Sequence, residues 1–176
     1  MNLNPRNGIS AALLAVALIV SAACSRTNQV SYKDNVERAL QQADLKDVKV
    51  SEDRDKNTIT LGGTVASEEA KQKAGDVAKE AAPSRVVANE VAIRPVGMES
   101  EARKISSNLD DAIENDYKAQ LVASGLDKQG IDFNAKNGVL TLKGKVHDTQ
   151  QRQKAQQVAE SVPHVEQVVN QIEVKR

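Results

Sequence analysis

The residues able to do covalent, metal or acid–base chemistry in this 176-residue chain are few and scattered. Its one cysteine, Cys24, has no second thiol to pair with, so an internal disulfide is excluded and the thiol needs another use. The two histidines, His147 and His164, fall in different elements with no Cys or Asp arranged around them, so no metal site is expected. Carboxylates are plentiful, yet no pair is marked as sharing a cleft, and no catalytic residue is assigned. With Tyr32, Tyr117 and Phe133 as the only aromatic residues, almost nothing is left to stack bases, sugars or flat cofactors, and no cofactor is expected. Lys+Arg and Asp+Glu are both 24, which removes the pull of a basic domain on nucleic acid.

What remains is a group of cations near the C-terminus. Lys143 and Lys145 share a strand face or its edge with His147, and Arg152 and Lys154 lie on the polar surface of the next helix. These are the candidate membrane-binding residues, since a basic residue near an anionic bilayer contributes about 1 kcal/mol; the alternative is ordinary solvated lysines. Residues 108–176 hold nine basic and ten acidic residues, and Asp110, Asp111, Glu114 and Asp116 crowd one helix, so any basic surface must be one-sided. The glutamines Gln150, Gln151, Gln153, Gln156 and Gln157 read as a solvated helix face that could also contact protein. Gly63 and Gly144, in mid-strand, read as a bulge or as a helix packing on the sheet in preference to a ligand approach.

Positioning begins at the N-terminus. Arg6 precedes an uncharged apolar run from Ile9 to Val20, then the small residues Ser21-Ala22-Ala23 and Cys24, the three-part layout of a secretory signal peptide over 1–23. The run is too short for a membrane-spanning helix. The stretch resembles a lipobox, whose cysteine receives a diacylglyceryl group. Ser21 stands where that motif usually has a larger apolar residue, and Ser21-x-Ala23 equally suits ordinary signal peptidase. A lipidated chain keeps 24–30 as a tether, and Ser25 favours the outer membrane by resemblance to lipoprotein sorting in enteric bacteria. A soluble periplasmic chain is the alternative.

The remainder is a duplication. A shift of 81 residues lays 59–91 on 140–172 without a gap, Thr60, Leu61, Gly63, Val65, Lys73, Ala74 and Asn89 recurring as Thr141, Leu142, Gly144, Val146, Lys154, Ala155 and Asn170. Tyr32, Val36 and Leu40, like Ile113, Tyr117 and Leu121, line one face of a helix. Val48–Val50 and Ile131–Phe133 alternate as short strands. Ile59, Leu61, Gly63 and Val65, with their copies, give a second strand of period two. Ser67 and Asp148 cap the next helix, Gln151 completing a capping box with Asp148, and a last strand spans 86–93 and 165–174. A right-handed crossover makes the second and third strands parallel if they are neighbours, while the first two pair as a hairpin. The expected fold is α+β: two tandem units, 31–94 and 108–176, separated by a linker at 95–107, the end of which could extend the second unit's first helix. Each is helix-strand-strand-helix-strand, with both helices on one face of a mixed three-stranded sheet. Units this small gain from packing on each other.

Asn137-Gly-Val-Leu-Thr-Leu-Lys-Gly-Lys-Val, the capped Ala/Val helix and Val165-Glu-Gln-Val-Val-Asn-Gln-Ile-Glu-Val together closely resemble the BON domain, a bacterial osmotic-stress and nodulation module. The first copy matches through Thr58-Ile-Thr-Leu-Gly-Gly-Thr-Val and Val86-Val-Ala-Asn-Glu-Val, and departs at Gly62 and at Ala82-Pro83-Ser84-Arg85. With the signal peptide and cysteine, the chain is similar to dual-BON outer-membrane lipoproteins and their soluble periplasmic cousins. The resemblance implies no enzymatic activity, attachment to anionic phospholipid membrane, and support of the envelope under stress. A periplasmic module that binds envelope proteins, chaperone-like, is the other expectation.

Overall fold

The computed structural model describes residues 31–175, so the signal segment, Cys24 and the tether lie outside the described residues. The first unit runs α1 (Lys33–Gln42), β1 (Val48–Asp53), β2 (Thr58–Val65), α2 (Glu68–Ala81), β3 (Val86–Asn89) and β4 (Ala92–Ile93). The second repeats it as α3 (Glu99–Ala123), β5 (Ile131–Lys136), β6 (Val139–Val146), α4 (Thr149–Glu160), β7 (Gln167–Asn170) and β8 (Glu173–Val174). In each, the first two strands pair antiparallel and the second pairs parallel with the last. That last strand is broken after Asn89 and after Asn170 and rejoins β2 and β6 further along, so the expected three-stranded sheet has an interrupted third member.

The helices start where the sequence places their caps. Ser67 Oγ accepts the Ala70 N–H at 3.3 Å and Asp148 Oδ1 accepts the Gln151 N–H at 2.7 Å. Gln151 reaches back, but to the His147 N–H at 2.9 Å, one residue before the cap. Both helices of a unit bury their apolar stripes on the same sheet face: Val36, Leu40, Ala74 and Ala78 over Ile59 and Leu61, and Ile113, Tyr117, Ala155 and Ala159 over Leu140 and Leu142. Tyr117 is fully buried, donates its hydroxyl to the Ala155 carbonyl at 3.2 Å and meets the Phe133 ring edge-on at 5.0 Å. Burial pushes its phenol well above the usual tyrosine range.

Several recurring residues carry recurring devices. Asn89 and Asn170 donate to the carbonyls of Lys71 and Arg152, equivalent positions in α2 and α4, tying the last strand to the helix above it. Lys73 and Lys154 donate to the carbonyls of Ala43 and Ser124 at 3.0 and 2.7 Å, closing the C-termini of α1 and α3. The 95–107 stretch is for the most part helix, since α3 begins at Glu99 and continues unbroken into the second unit.

Glu52 and Arg85 form a buried ion pair at 3.3 Å in the first unit. The carboxylate also accepts from the Ser31 hydroxyl at 2.7 Å and the Tyr32 N–H at 3.3 Å, while the guanidinium sits over the Tyr32 ring. Burial alone would raise the Glu52 pKa. The bonds from Ser31 and Tyr32 and the charges of Arg54 and Arg85 outweigh it and hold the group below the ordinary glutamate value. Because the folded pKa is depressed, its stabilisation is present above the unfolded value and is lost as pH falls through the folded one. Thermal melts of Glu52→Gln should therefore be lower than wild type at neutral pH and converge with it in acid; parallel curves at every pH would remove Glu52 as the cause.

Candidate functional site

The edges β3 and β7 bring the two units together. Ala88, Val139 and Val169, on the sheet faces turned away from the helices, form a small shared core. Beside it the Gln167 side chain acts as a peptide group would on a strand edge, accepting from the Asn89 N–H at 3.1 Å and donating to the Val87 carbonyl at 2.6 Å. At one end of the seam Lys71, on the buried side of α2, donates to Glu166 Oε2 at 2.6 Å and to the Asn137 carbonyl at 2.9 Å. Glu90 pairs with Lys136 at 3.1 Å, and its carbonyl accepts from the Asn137 side chain. At the other end Glu173 bridges Lys56 of the first unit and Lys145 of the second, and these two cations hold its carboxyl below the ordinary value.

The four basic residues singled out from sequence do not form one surface. Leu140 and Leu142 turn toward α4, so Lys143 and Lys145, alternating with them along β6, face away from the helices, while Arg152 and Lys154 lie on α4 itself. All four are solvent-exposed. Two have other work: Lys145 pairs with Glu173 at 3.1 Å, and Lys154 closes α3. His147 and His164 are exposed, and among the described residues no three of His, Cys, Asp and Glu are grouped to hold a metal ion. Of the acidic residues on α3, Asp110 and Glu114 cover the edge of the second sheet: Glu114 accepts the Ala135 N–H at 2.8 Å and Asp110 those of Asn137 and Gly138 at 3.0 and 3.2 Å.

The surface feature that sequence reasoning passed over is apolar. Val96 is 89% exposed, Met98 57% and Ile105 67%, all within the connection and the first turns of α3. The signal was present in Val96-Gly97-Met98, an apolar pair beside a glycine in a segment assigned to a linker. Arg103 and Lys104 immediately precede Ile105, while Glu99 folds back to accept the Gly97 N–H at 2.8 Å, which lowers its pKa. Single exposed apolar side chains are ordinary; here three fall within ten residues of the connection and the start of α3. Among the described residues no helix is long and apolar enough to cross a membrane.

A family model described as the BON domain matches the chain twice, over residues 30–95 and 109–176. No curated protein matches the sequence. Among solved structures, the chain is similar to the C-terminal domain of CdsD, the structural protein of the Type III secretion system of Chlamydia trachomatis. That likeness has 13% identity and a TM-score of 0.34, and covers 85% of this chain and 100% of that one. A second CdsD structure is 12% identical, with a TM-score of 0.35 and coverage of 81% and 91%. Likeness at these TM-scores says nothing of function.

Proposed function

The chain belongs to the BON domain family, and from that footing we propose that it is a non-enzymatic envelope protein that docks on anionic phospholipid membrane and supports outer-membrane integrity under stress. The family is a non-catalytic binding domain associated with membranes and the cell envelope. In this reading Cys24 carries the acyl anchor and the folded units lie against the membrane surface from the periplasmic side.

The observation that carries the docking is the exposed apolar set Val96, Met98 and Ile105 with Arg103 and Lys104 beside it. Apolar side chains on an exposed segment can enter the headgroup layer while neighbouring cations meet phosphate, the balance found in interfacial binders. Neither contribution need be large, because an anchored domain docks at high effective concentration. The exposed Lys143 and Arg152 would add electrostatic attraction without setting the orientation.

The test is co-sedimentation of the chain from Ser25 onward with anionic and with neutral vesicles at two salt concentrations. Salt-sensitive binding to anionic vesicles is expected. Val96→Asp with Met98→Asp should weaken it by about tenfold or more, since burying either side chain contributes about 1.5–3 kcal/mol and 1.4 kcal/mol is a factor of ten. Absence of vesicle binding by the parent chain would transfer the role to envelope-protein contacts, and undiminished binding by the double variant would place docking elsewhere.

A further inference from the structure

We propose that the groove between α2 and the start of β7 binds an extended peptide segment, which adds to the outer edge of β3 in the place now taken by the Gln167 side chain. The proposal goes beyond membrane docking, since its ligand is a protein chain and its site lies along the seam. The groove encloses about 660 Å³, within the range of about 300–1,000 Å³ usual for ligand sites. Gln72 and Gly75 of α2, Val87 and Asn89 of β3, and Glu166 and Gln167 line it. β3 is the last strand on its side of the sheet, and its outer edge gives onto this groove. There the Gln167 amide donates to the Val87 carbonyl at 2.6 Å and accepts the Asn89 N–H at 3.1 Å. A carbonyl and the N–H two residues further on are the two groups that one residue of an added parallel strand would take.

The duplication shows what is particular to this side of the seam. The position equivalent to Gly75 is Gln156, whose side chain fills the corresponding place and accepts from Asn170 Nδ2 at 3.1 Å, and the position equivalent to Gln167 is Val86, which carries no amide. Charges along the groove answer one another: Lys71 pairs with Glu166 at 2.6 Å and Lys79 with Asp76 at 3.7 Å, while Glu68 accepts from Gln72 at 3.4 Å. A ligand therefore meets chiefly side-chain amides over Val87 and Val139, a lining that suits main-chain amides and small uncharged side chains better than a phosphate or a cation. Asn89 Oδ1 is buried with no hydrogen-bond partner among the described residues, whereas Asn170 Oδ1 accepts the Ile172 N–H at 3.1 Å. A peptide N–H arriving beside Asn89 would supply the missing donor.

The experiment titrates the chain from Ser25 onward, which keeps both cores complete, with the blocked peptide acetyl-Thr-Ala-Thr-Ala-amide at millimolar concentration, followed by backbone and side-chain amide NMR. Because the contacts are to main chain, the order of residues in the probe matters little, and saturable shifts centred on Val87, Asn89 and the Gln167 amide are expected. The same peptide N-methylated at its backbone amides should bind roughly tenfold more weakly or worse. Gln167→Ala, which vacates the edge, should tighten binding severalfold. Gly75→Gln, which places the second unit's residue in the groove, should weaken it tenfold or more, and Asn170 beside Gln156 shows that the neighbouring asparagine accommodates that side chain. Absence of saturable shifts along β3, equal binding of the N-methylated peptide, or binding unchanged in both variants would overturn the proposal. Vesicle co-sedimentation of Gly75→Gln should equal that of the parent chain, so the peptide site and membrane docking stand or fall separately.

Discussion

Gly144→Ala should unfold the second domain at temperatures where the first still stands. Gly144 sits in mid-strand at φ +114°, in a region open to glycine and strained for any L side chain, and a Cβ built there comes 2.1 Å from the Gly130 carbonyl oxygen. The oxygen is backbone and the Cβ position is fixed by the backbone, so the clash cannot be relieved by a rotamer change; β5 would have to separate from β6 at the point where Ile131 pairs with Gly144. The expected loss is about 3–5 kcal/mol, the sum of left-handed strain and a broken hairpin end. At about 4–8 °C per kcal/mol for a domain of this size, calorimetry should split one transition into two. Gly63→Ala should do the same to the first domain, where φ is +97° and the Asp47 carbonyl takes the place of Gly130. The internal control is Gly62→Ala, whose Cβ meets nothing within 4 Å. It should be neutral or slightly stabilising through the unfolded chain. Equal effects at Gly62 and Gly63 would show that general strand propensity, not the carbonyl contact, explains the recurring glycine.

Those glycines also show why so much of the fold was legible in the sequence. A residue recurring at an 81-residue interval on a period-two strand had to answer a backbone requirement present in both copies, though the close neighbour is a carbonyl just before the adjacent strand and not a helix packed on the sheet. The helix caps Ser67 and Asp148, the apolar stripes of α2 and α4 and the hairpin-plus-crossover topology rest on local periodicity of the same kind, and the sheet pairing follows them. Two local features escaped. Lys73 and Lys154 recur because each closes the C-terminus of the preceding helix, a contact across 30 residues that no local pattern reveals. The start of α3 at Glu99 was hidden by Pro95 and Gly97, which punctuate the chain just before it and make the following charged turns resemble a linker.

The candidate site was less legible because it lies where the copies differ. Charge alone selected Lys143, Lys145, Arg152 and Lys154, but strand alternation sends the first two away from the helix that carries the others. Lys145 is then claimed by Glu173, a partner in another element. The apolar set Val96, Met98 and Ile105 has no counterpart in a repeat, since it belongs to the connection between copies. Its meaning depends on exposure, and an apolar residue in a sequence does not say which side of the surface it occupies.

The seam between the units gives the second large effect, and one with a direction that is easy to mistake. Lys71 and Glu166 form a salt bridge in which the lysine side chain is 7% exposed and the glutamate 54%. Removing the acid and removing the base are therefore not equivalent. Glu166→Ala leaves a buried ammonium still bonded to the Asn137 carbonyl but without its counter-charge, and the uncompensated charge should cost about 2–3 kcal/mol. Lys71→Met removes the buried charge and keeps the volume, while Glu166 can turn to water; this variant should lie within about 1 kcal/mol of wild type. The double variant should then recover most of what Glu166→Ala loses, a positive coupling between contacting residues. The duplication supplies the reason that the pair is single. Positions equivalent to Lys71 and Glu166 are Arg152 and Arg85, two cations, so the same bridge cannot form across the other side of the seam, and Arg85 is committed instead to Glu52. Urea melts of the three variants decide the matter: a Lys71→Met loss larger than that of Glu166→Ala would mean that the lysine stabilises the seam through its charge and not merely through packing.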